Sequence, residues 1–275
     1  MSDPALAPDL VRRYLAVLGV SRREPTPEAL RELVAAQLTR VPFENISKLY
    51  NRKHHGLNGV PSLPLFLEGI ERYHFGGTCY TNNFHLYSLL ATLGYEAKLC
   101  AADMREPAVH AVILVTLDGH EYLVDAGYGA PFLAPLPRDL ATDHVITLGR
   151  DRYVLKPQDA SGRSRLDLYR DGQLKHGYLV KPAARSIEDF AQVIAESFRP
   201  DATFLNALLL TRFYPGHSVM IHNFTLIESR GSESIVRSLA NEDELVATVA
   251  ERFDMPWEVV TEAVSELGDL QDPWT

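Results

Sequence analysis

Cys79 follows Gly76-Gly77-Thr78 and opens a stretch, Tyr80 to Leu93, whose spacing predicts a helix. Cys79, Asn83, Leu86 and Leu90 fall on one stripe of it, and Gly94 is placed to end it. A thiol in the first helical turn faces unpaired backbone N–H groups and the positive end of the helix dipole, and both favour the nucleophilic thiolate. The two glycines allow a sharp turn and leave room for a ligand to approach. The Cys79 N–H is itself a candidate oxyanion donor. A catalytic cysteine also needs a base and a group to orient that base.

Among ten histidines, His110 stands out because it shares a predicted hairpin with Asp125. If Asp118-Gly119 is a two-residue turn, Leu117 faces His120 and His110 faces Gly127. Asp125 then lies diagonally from His110 on the same sheet face, roughly 7–8 Å away at the backbone, within reach of an imidazole–carboxylate hydrogen bond. A slip of one residue would turn Asp125 to the opposite face. The other histidines fit less well. His85 points around the helix away from Cys79, His120 sits at the turn, and His54-His55 lies in a polar loop. His217 and His222 flank a late strand and could line a cleft. Cys100, in a strand-like apolar stretch, reads as core. Without C-x-x-C or H-E-x-x-H spacing, no metal site is expected, although Cys79, His110 and Asp125 could in principle hold one. There is neither a G-x-G-x-x-G fingerprint nor a Walker-type lysine loop.

These residues must be positioned by a chain of 275 residues with ordinary soluble composition, 46% apolar and 23% charged. Helical spacing covers Asp9 to Leu18, Thr26 to Leu38 and Pro61 to Tyr73, with Thr26-Pro27 as an N-cap and first-turn proline. Val41 to Val60 reads as irregular. From Tyr95 the pattern changes to short strands: Tyr95 to Ala101, His110 to Leu117, Tyr122 to Gly127, Val145 to Leu148, Arg152 to Leu155, Arg165 to Tyr169 and Gln173 to Val180. Their spacing predicts an antiparallel sheet or small barrel. Beyond Pro182, Ser186 to Glu196, Asn241 to Arg252 and Pro256 to Leu267 read as helices and Ser218 to Ser229 as extended. Asn241 and Glu244 form a capping pair. A net charge of −9 argues against nonspecific binding to nucleic acid or anionic membranes. No signal peptide or membrane span is evident, and two cysteines fit a reducing cytoplasm.

Val41-Pro42-Phe43-Glu44-Asn45, Gly76-Gly77-Thr78-Cys79, His110-Ala111-Val112 and Asp125-Ala126-Gly127-Tyr128-Gly129 occur in an order and spacing that resemble the arylamine N-acetyltransferases. Phe198 to Arg212 and Arg252-Phe253-Asp254-Met255 resemble that family's later segments. The resemblance implies an α+β fold with a helical domain at 1–94, an antiparallel β-barrel domain at 95–184 and an α/β lid at 185–275. It implies a catalytic triad of Cys79, His110 and Asp125 acting in ping-pong fashion. Cys79 would take acetyl from acetyl-CoA, a co-substrate rather than a permanently bound cofactor, and pass it to an arylamine, N-hydroxyarylamine or arylhydrazine, as in xenobiotic metabolism. Gly127, Tyr128 and Gly129 would approach the cofactor, and Phe43, Phe75 and Phe204 the substrate.

Two motif positions depart from the family pattern: Phe75 stands for arginine and Thr81 for glutamate, and Asn82-Asn83 follows where one asparagine is usual. Glu44 then lacks a partner unless Arg72 supplies one. Three other readings of the same residues remain open at this stage. They are an amide synthase using a larger acyl thioester, a papain- or transglutaminase-like hydrolase, and a binding protein that has lost the chemistry.

Overall fold

Proline and glycine punctuation sets most helix boundaries in a computed structural model that describes residues 5–267 and 270. Helix α1 (Pro8–Leu18) ends at Gly19, whose φ of 65° is the left-handed conformation that glycine adopts without strain. Helix α2 (Pro27–Arg40) starts as expected: Thr26 Oγ1 accepts the Ala29 N–H at 3.1 Å. A two-residue strand β1 (Phe43–Glu44) leads into helix α3 (Ile46–His55), so the irregular segment expected over 41–60 is largely helical. The sequence pattern fails here because α3 buries polar groups. Ser47, Lys48 and Asn51 are buried beside Ile46 and Leu49, which erases the usual apolar stripe. Helices α4 (Leu63–Tyr73) and α5 (Cys79–Thr92) follow.

An eight-stranded antiparallel sheet, curled into a nearly closed barrel, comes next. Its strands are β2 (Glu96–Asp103), β3 (His110–Leu117), β4 (His120–Val124), β5 (Leu136–Pro137), β6 (His144–Leu148), β7 (Asp151–Leu155), β8 (Ser164–Arg170) and β9 (Gln173–Ala184). They are ordered β5-β4-β3-β2-β9-β8-β7-β6. Asp118 and Gly119 have φ of 52° and 78°, the two positive values a tight I′ turn needs, and Leu117 pairs with His120 as the register argument requires. The strand expected over 122–127 stops at Val124, because Asp125 turns out of the ladder and binds the N–H of Gly127 with its own side chain.

After β9 the chain forms a short 3-10 turn (Ile187–Phe190) continuous with helix α6 (Ala191–Glu196), and then a second sheet. Strands β10 (Leu209–Tyr214), β11 (His217–His222), β12 (Thr225–Arg230) and β13 (Glu233–Ser238) run antiparallel, and β1 joins their β10 edge. The extended segment expected over 218–229 is therefore two strands joined at Asn223, whose φ is 49°. Helices α7 (Glu242–Phe253) and α8 (Trp257–Ser265) close the chain, and Asn241 Oδ1 accepts the Glu244 N–H as the capping pair predicts.

Two large apolar cores hold these layers, and a third, small cluster gathers Cys79, Tyr80, Leu99, Ala101, Ala111, Phe190 and Ile194. The larger joins α1, α2, α4 and α5 to the inner faces of β2, β3, β8 and β9. The smaller packs β10–β12 against α3, α7 and α8. Helix α5 belongs to the interior, with Leu86, Leu89 and Leu90 fully buried against the sheet, so Cys79 sits at the end of the best-anchored helix in the molecule. Burying each of those leucines contributes about 1.5–3 kcal/mol. Among the described residues, no helix is long and apolar enough to cross a membrane.

Candidate active site

Cys79 is the first residue of α5 and is 7% exposed. Thr78 precedes it in an extended conformation and makes no side-chain cap, so the helix N-terminus is left open toward the thiol. Its Sγ lies 4.0 Å from the carbonyl of Val109, which puts the thiol beside the start of β3. His110, the first residue of β3, is 2% exposed. Its Nε2 lies 2.8 Å from Oδ2 of Asp125, which leaves Nδ1 as the ring nitrogen available to the thiol. Imidazole and carboxylate therefore meet as the hairpin register predicts, with the thiol beside the start of the same strand.

Asp125 is buried and carries four hydrogen bonds. Oδ2 accepts from His110 Nε2 and from Tyr178 O–H, both at 2.8 Å. Oδ1 accepts from Asn83 Nδ2 and from the Gly127 N–H, both at 2.9 Å. Burial pushes a carboxyl group up, but the His110 charge and these hydrogen bonds outweigh it and hold Asp125 below the usual range. The converse holds for His110. Burial disfavours its charge, yet the Asp125 charge and hydrogen bond, aided by Cys79, raise its pKa. The site thus favours a charged imidazolium held against a carboxylate.

Asn83 and Tyr178 were not singled out as site residues from the sequence. Asn83 did carry a signal, since it lies one turn after Cys79 on the same stripe. Its Oδ1 also accepts the Ala126 N–H at 2.8 Å, and its Nδ2 donates to the Ala111 carbonyl at 2.7 Å, so one side chain ties α5 to both arms of the hairpin. Tyr178 arrives from β9 and had no spacing cue.

A cavity of about 230 Å³ opens on Cys79 and His110. Gly127, Tyr128 and Gly129 line it, as do Phe43 and Phe204, whose rings meet edge to face at 6.0 Å. His222 also lines it, matching the cleft role open to it, whereas His217 stacks on Tyr214. Phe75 is a correction: it is buried in the second core against Tyr50 and Tyr73 and is not among the cavity's lining residues. Two of the glycines also admit close backbone approach. A Cβ on Gly127 would sit 2.4 Å from Cys79 Cα, and one on Gly76 would sit 1.8 Å from the Pro42 carbonyl oxygen. The space they leave is filled by this chain's own backbone, which brings the Asp125 turn and β1 close to the nucleophile.

The alternative histidines and thiol lie apart. His85 is buried and stacked on Phe66, with Nε2 at 3.0 Å from the Pro61 carbonyl. His54 and His55 end α3, and His120 pairs with Asp139 at the surface. Cys100 is fully buried on β2, where burial pushes its thiol up to about 11. Both cysteines are free thiols, and among the described residues no group of three potential metal ligands is found.

This arrangement has relatives. A family model described as N-acetyltransferase matches residues 26–261. Arylamine N-acetyltransferase 2 of Homo sapiens is 31% identical over 205 residues, covering 66% of this chain and 69% of that protein. The chain belongs to the arylamine N-acetyltransferase family. Solved structures of the family share the fold. That of the Nocardia farcinica enzyme covers 100% of this chain and 99% of its own, with a TM-score of 0.75 and 26% identity. That of the Mycobacterium marinum enzyme in complex with CoA covers 94% and 100%, with a TM-score of 0.77 and 22% identity.

As a member of the arylamine N-acetyltransferase family, the chain is an acetyltransferase, and the surroundings of Glu44, Phe75 and Thr81 can be described. Glu44 is fully buried. Its Oε1 accepts the Gly76 N–H and its Oε2 the Ser47 N–H, each at 2.9 Å. Arg72 does not partner Glu44, since it pairs with Glu68 on the solvent side of α4. With no cation beside it, burial dominates and raises Glu44 above the ordinary carboxyl range, against its hydrogen bonds to Ser47 and Gly76. Thr81 fits against Gly77, where its methyl group lies 2.8 Å from the position a Cβ would take.

Proposed function

We propose that this chain transfers an acetyl group from acetyl-CoA to an arylamine, N-hydroxyarylamine or arylhydrazine by a ping-pong route through a thioester on Cys79. The observation that carries this reading is that Cys79 and His110 share the wall of one cavity large enough for an aromatic ring, with the His110 ring held by Asp125 at 2.8 Å. The thiolate Sγ attacks the thioester carbonyl, and the C–S bond to CoA breaks. The CoA sulfur leaves with the proton that His110 holds. In the second half, the amine nitrogen attacks the acetyl carbonyl, His110 takes the amine proton, and the Cys79 C–S bond breaks to return the thiolate. Asp125 keeps the imidazole oriented and stabilises its charged form. The Cys79 N–H, at an open helix start, is positioned to meet the developing oxyanion. Phe43 and Phe204 supply an apolar wall for the acceptor ring, and Gly127, Tyr128 and Gly129 a close backbone surface for the donor.

The same reading divides the labour by segment. Residues 1–94 bring the nucleophile, 95–184 the base and its orienting carboxylate, and 185–275 a lid that covers the site with Phe204, Leu209, Met220 and Ile227. Intact mass after incubation with acetyl-CoA alone tests the proposal. One acetyl group is expected on Cys79, discharged by adding an arylamine or hydrazine, absent in Cys79→Ala and retained in Cys100→Ala. Absence of any adduct across acyl-CoA donors would overturn it.

A further inference from the structure

Lys48, on α3, is 8% exposed and has no ion-pair partner among the described residues. Its Nζ donates to the Ser197 carbonyl at 2.5 Å and to Ser197 Oγ at 2.7 Å, and it lies 4.0 Å from the centre of the Phe198 ring. Three contacts thus fix an ammonium in place without neutralising it. Its position matters because Lys48 lines a small cavity, about 30 Å³, together with Gly77, Thr78, Tyr80 and Thr81. Those residues bracket Cys79 directly. The small cavity shares no lining residue with the larger one, although Lys48 Nζ also lies 5.9 Å from the ring of Phe204, which lines the larger.

A cation beside a helix N-terminus opposes the helix dipole, and burial removes water from it. Burial indeed pushes the Lys48 ammonium down to about 8. The influence that favours its charge is Cys79, while Arg52 on the same helix opposes it. Tyr80 is the other titratable group facing it from α5, and Ser197 and Phe198 bring no charge. Phe75 and Thr81, near Cys79 on either side, carry no charge. Lys48 brings a cation to that locality from a different element.

We propose that Lys48 is a positioning residue for the nucleophile: its fixed ammonium stabilises negative charge on Cys79 and so favours the thiolate–imidazolium pair with His110. This role rests on the reading of Cys79 as the acyl carrier. The competing role is structural, with Lys48 merely capping the carbonyl end of α6 through Ser197.

Iodoacetamide alkylation of Cys79, followed by mass spectrometry of the full chain over roughly pH 5 to 10, separates the two. Lys48→Met is expected to slow alkylation about tenfold at the acidic end and to move the half-maximal pH up by about one unit. Lys48→Arg, which keeps the charge, is expected to restore most of the rate. Lys48→Gln serves where the methionine variant does not fold, because it can still donate to Ser197 while lacking the charge. An unmoved pH profile in a folded neutral variant, even with a lower melting temperature, would reduce Lys48 to a helix cap and overturn the proposal. Alkylation needs no acyl donor. A shifted profile in a protein that acetyl-CoA never labels would overturn the acyl-carrier reading alone, and normal labelling with an unmoved profile the Lys48 role alone.

Discussion

Two buried carboxylates flank the start of α5, and they behave oppositely. Asp125 and Glu44 are both almost fully removed from water, and both accept backbone N–H groups from turns that touch the nucleophile. Asp125 has an imidazole within 2.8 Å and is held below its ordinary range, whereas Glu44 has only amides and a hydroxyl and is pushed above it. Burial is common to the two, so the cation decides the direction. The contrast teaches what each carboxylate is for. Asp125 can hold a charge opposite a charge, as an orienting group must. Glu44 joins the Gly76 and Ser47 N–H groups and so pins β1 to the loop that presents Cys79.

The sharpest way to break this comparison is Asp125→Asn. Each Asp125 oxygen faces two donors, so an amide must turn its NH₂ toward one pair. With its oxygen kept on Gly127 and Asn83, the NH₂ meets His110 Nε2 and forces the ring proton onto Nδ1, the nitrogen that must accept from the thiol. We expect kcat/KM for acetyl transfer to fall by roughly 10³–10⁴-fold with little change in circular dichroism. Removing the negative charge also leaves burial as the dominant influence on His110, so its imidazolium should titrate at lower pH, as NMR of the ring protons would report. Near-normal turnover would show that Asp125 is no more functional than Glu44.

Gly127→Ala tests whether the Asp125 turn must touch the nucleophile. The new methyl group would overlap Cys79 Cα at 2.4 Å, and backbone cannot yield as a flexible side chain can. Displacing Asp125 relative to Cys79 by about 1 Å should lower kcat about 10²-fold. The corresponding change on the other side, Glu44→Gln, should act on stability instead. An NH₂ would face one of two N–H donors, at a cost of about 1–3 kcal/mol. Its pH dependence has a definite sign. The folded-state pKa of Glu44 lies above its ordinary 4.5, so its contribution is fully present below that value and is lost as pH rises through the folded pKa. Asp125, whose folded pKa is depressed, contributes above the ordinary range and loses its contribution on acidification. Urea melts of wild type and Glu44→Gln should therefore differ most at acidic pH and converge as pH increases; divergence at higher pH would contradict the assignment.

How far the sequence revealed this difference depends on the kind of interaction. The His110–Asp125 contact was legible because a two-residue turn converts sequence distance into spatial register, and Leu117 does pair with His120. The same reasoning overran at Val124, since nothing in a strand pattern says where a side chain will bend the backbone out of its ladder. Helix α3 was missed for a related reason: its buried polar residues satisfy tertiary partners such as Ser197 and Gly76, which periodicity does not register. Strand β13 lies at a sheet edge with Ile235 and Val236 exposed, so no inward face marks it. Asn83 was visible by its helical spacing, but Tyr178 reaches Asp125 from β9, a meeting that the long-range pairing of β9 with β2 creates.

Tyr178→Phe is the finest probe of the comparison, because it changes one donor and no packing. The ring lies 4.9 Å from the His110 ring and 4.8 Å from that of Tyr128, and phenylalanine preserves both contacts. What disappears is the second hydrogen bond to Oδ2, the bond that fixes the oxygen against which His110 turns. A net loss of about 1 kcal/mol corresponds to roughly a fivefold fall in kcat. KM for the amine should remain unchanged, since Tyr178 is not among the residues that line the cavity. Loss of one donor makes Asp125 a little more like Glu44, so the acid limb of the pH–rate profile should move slightly toward neutral pH. An unaltered limb together with unaltered kcat would mean that His110, Asn83 and Gly127 already fix the carboxylate without the tyrosine.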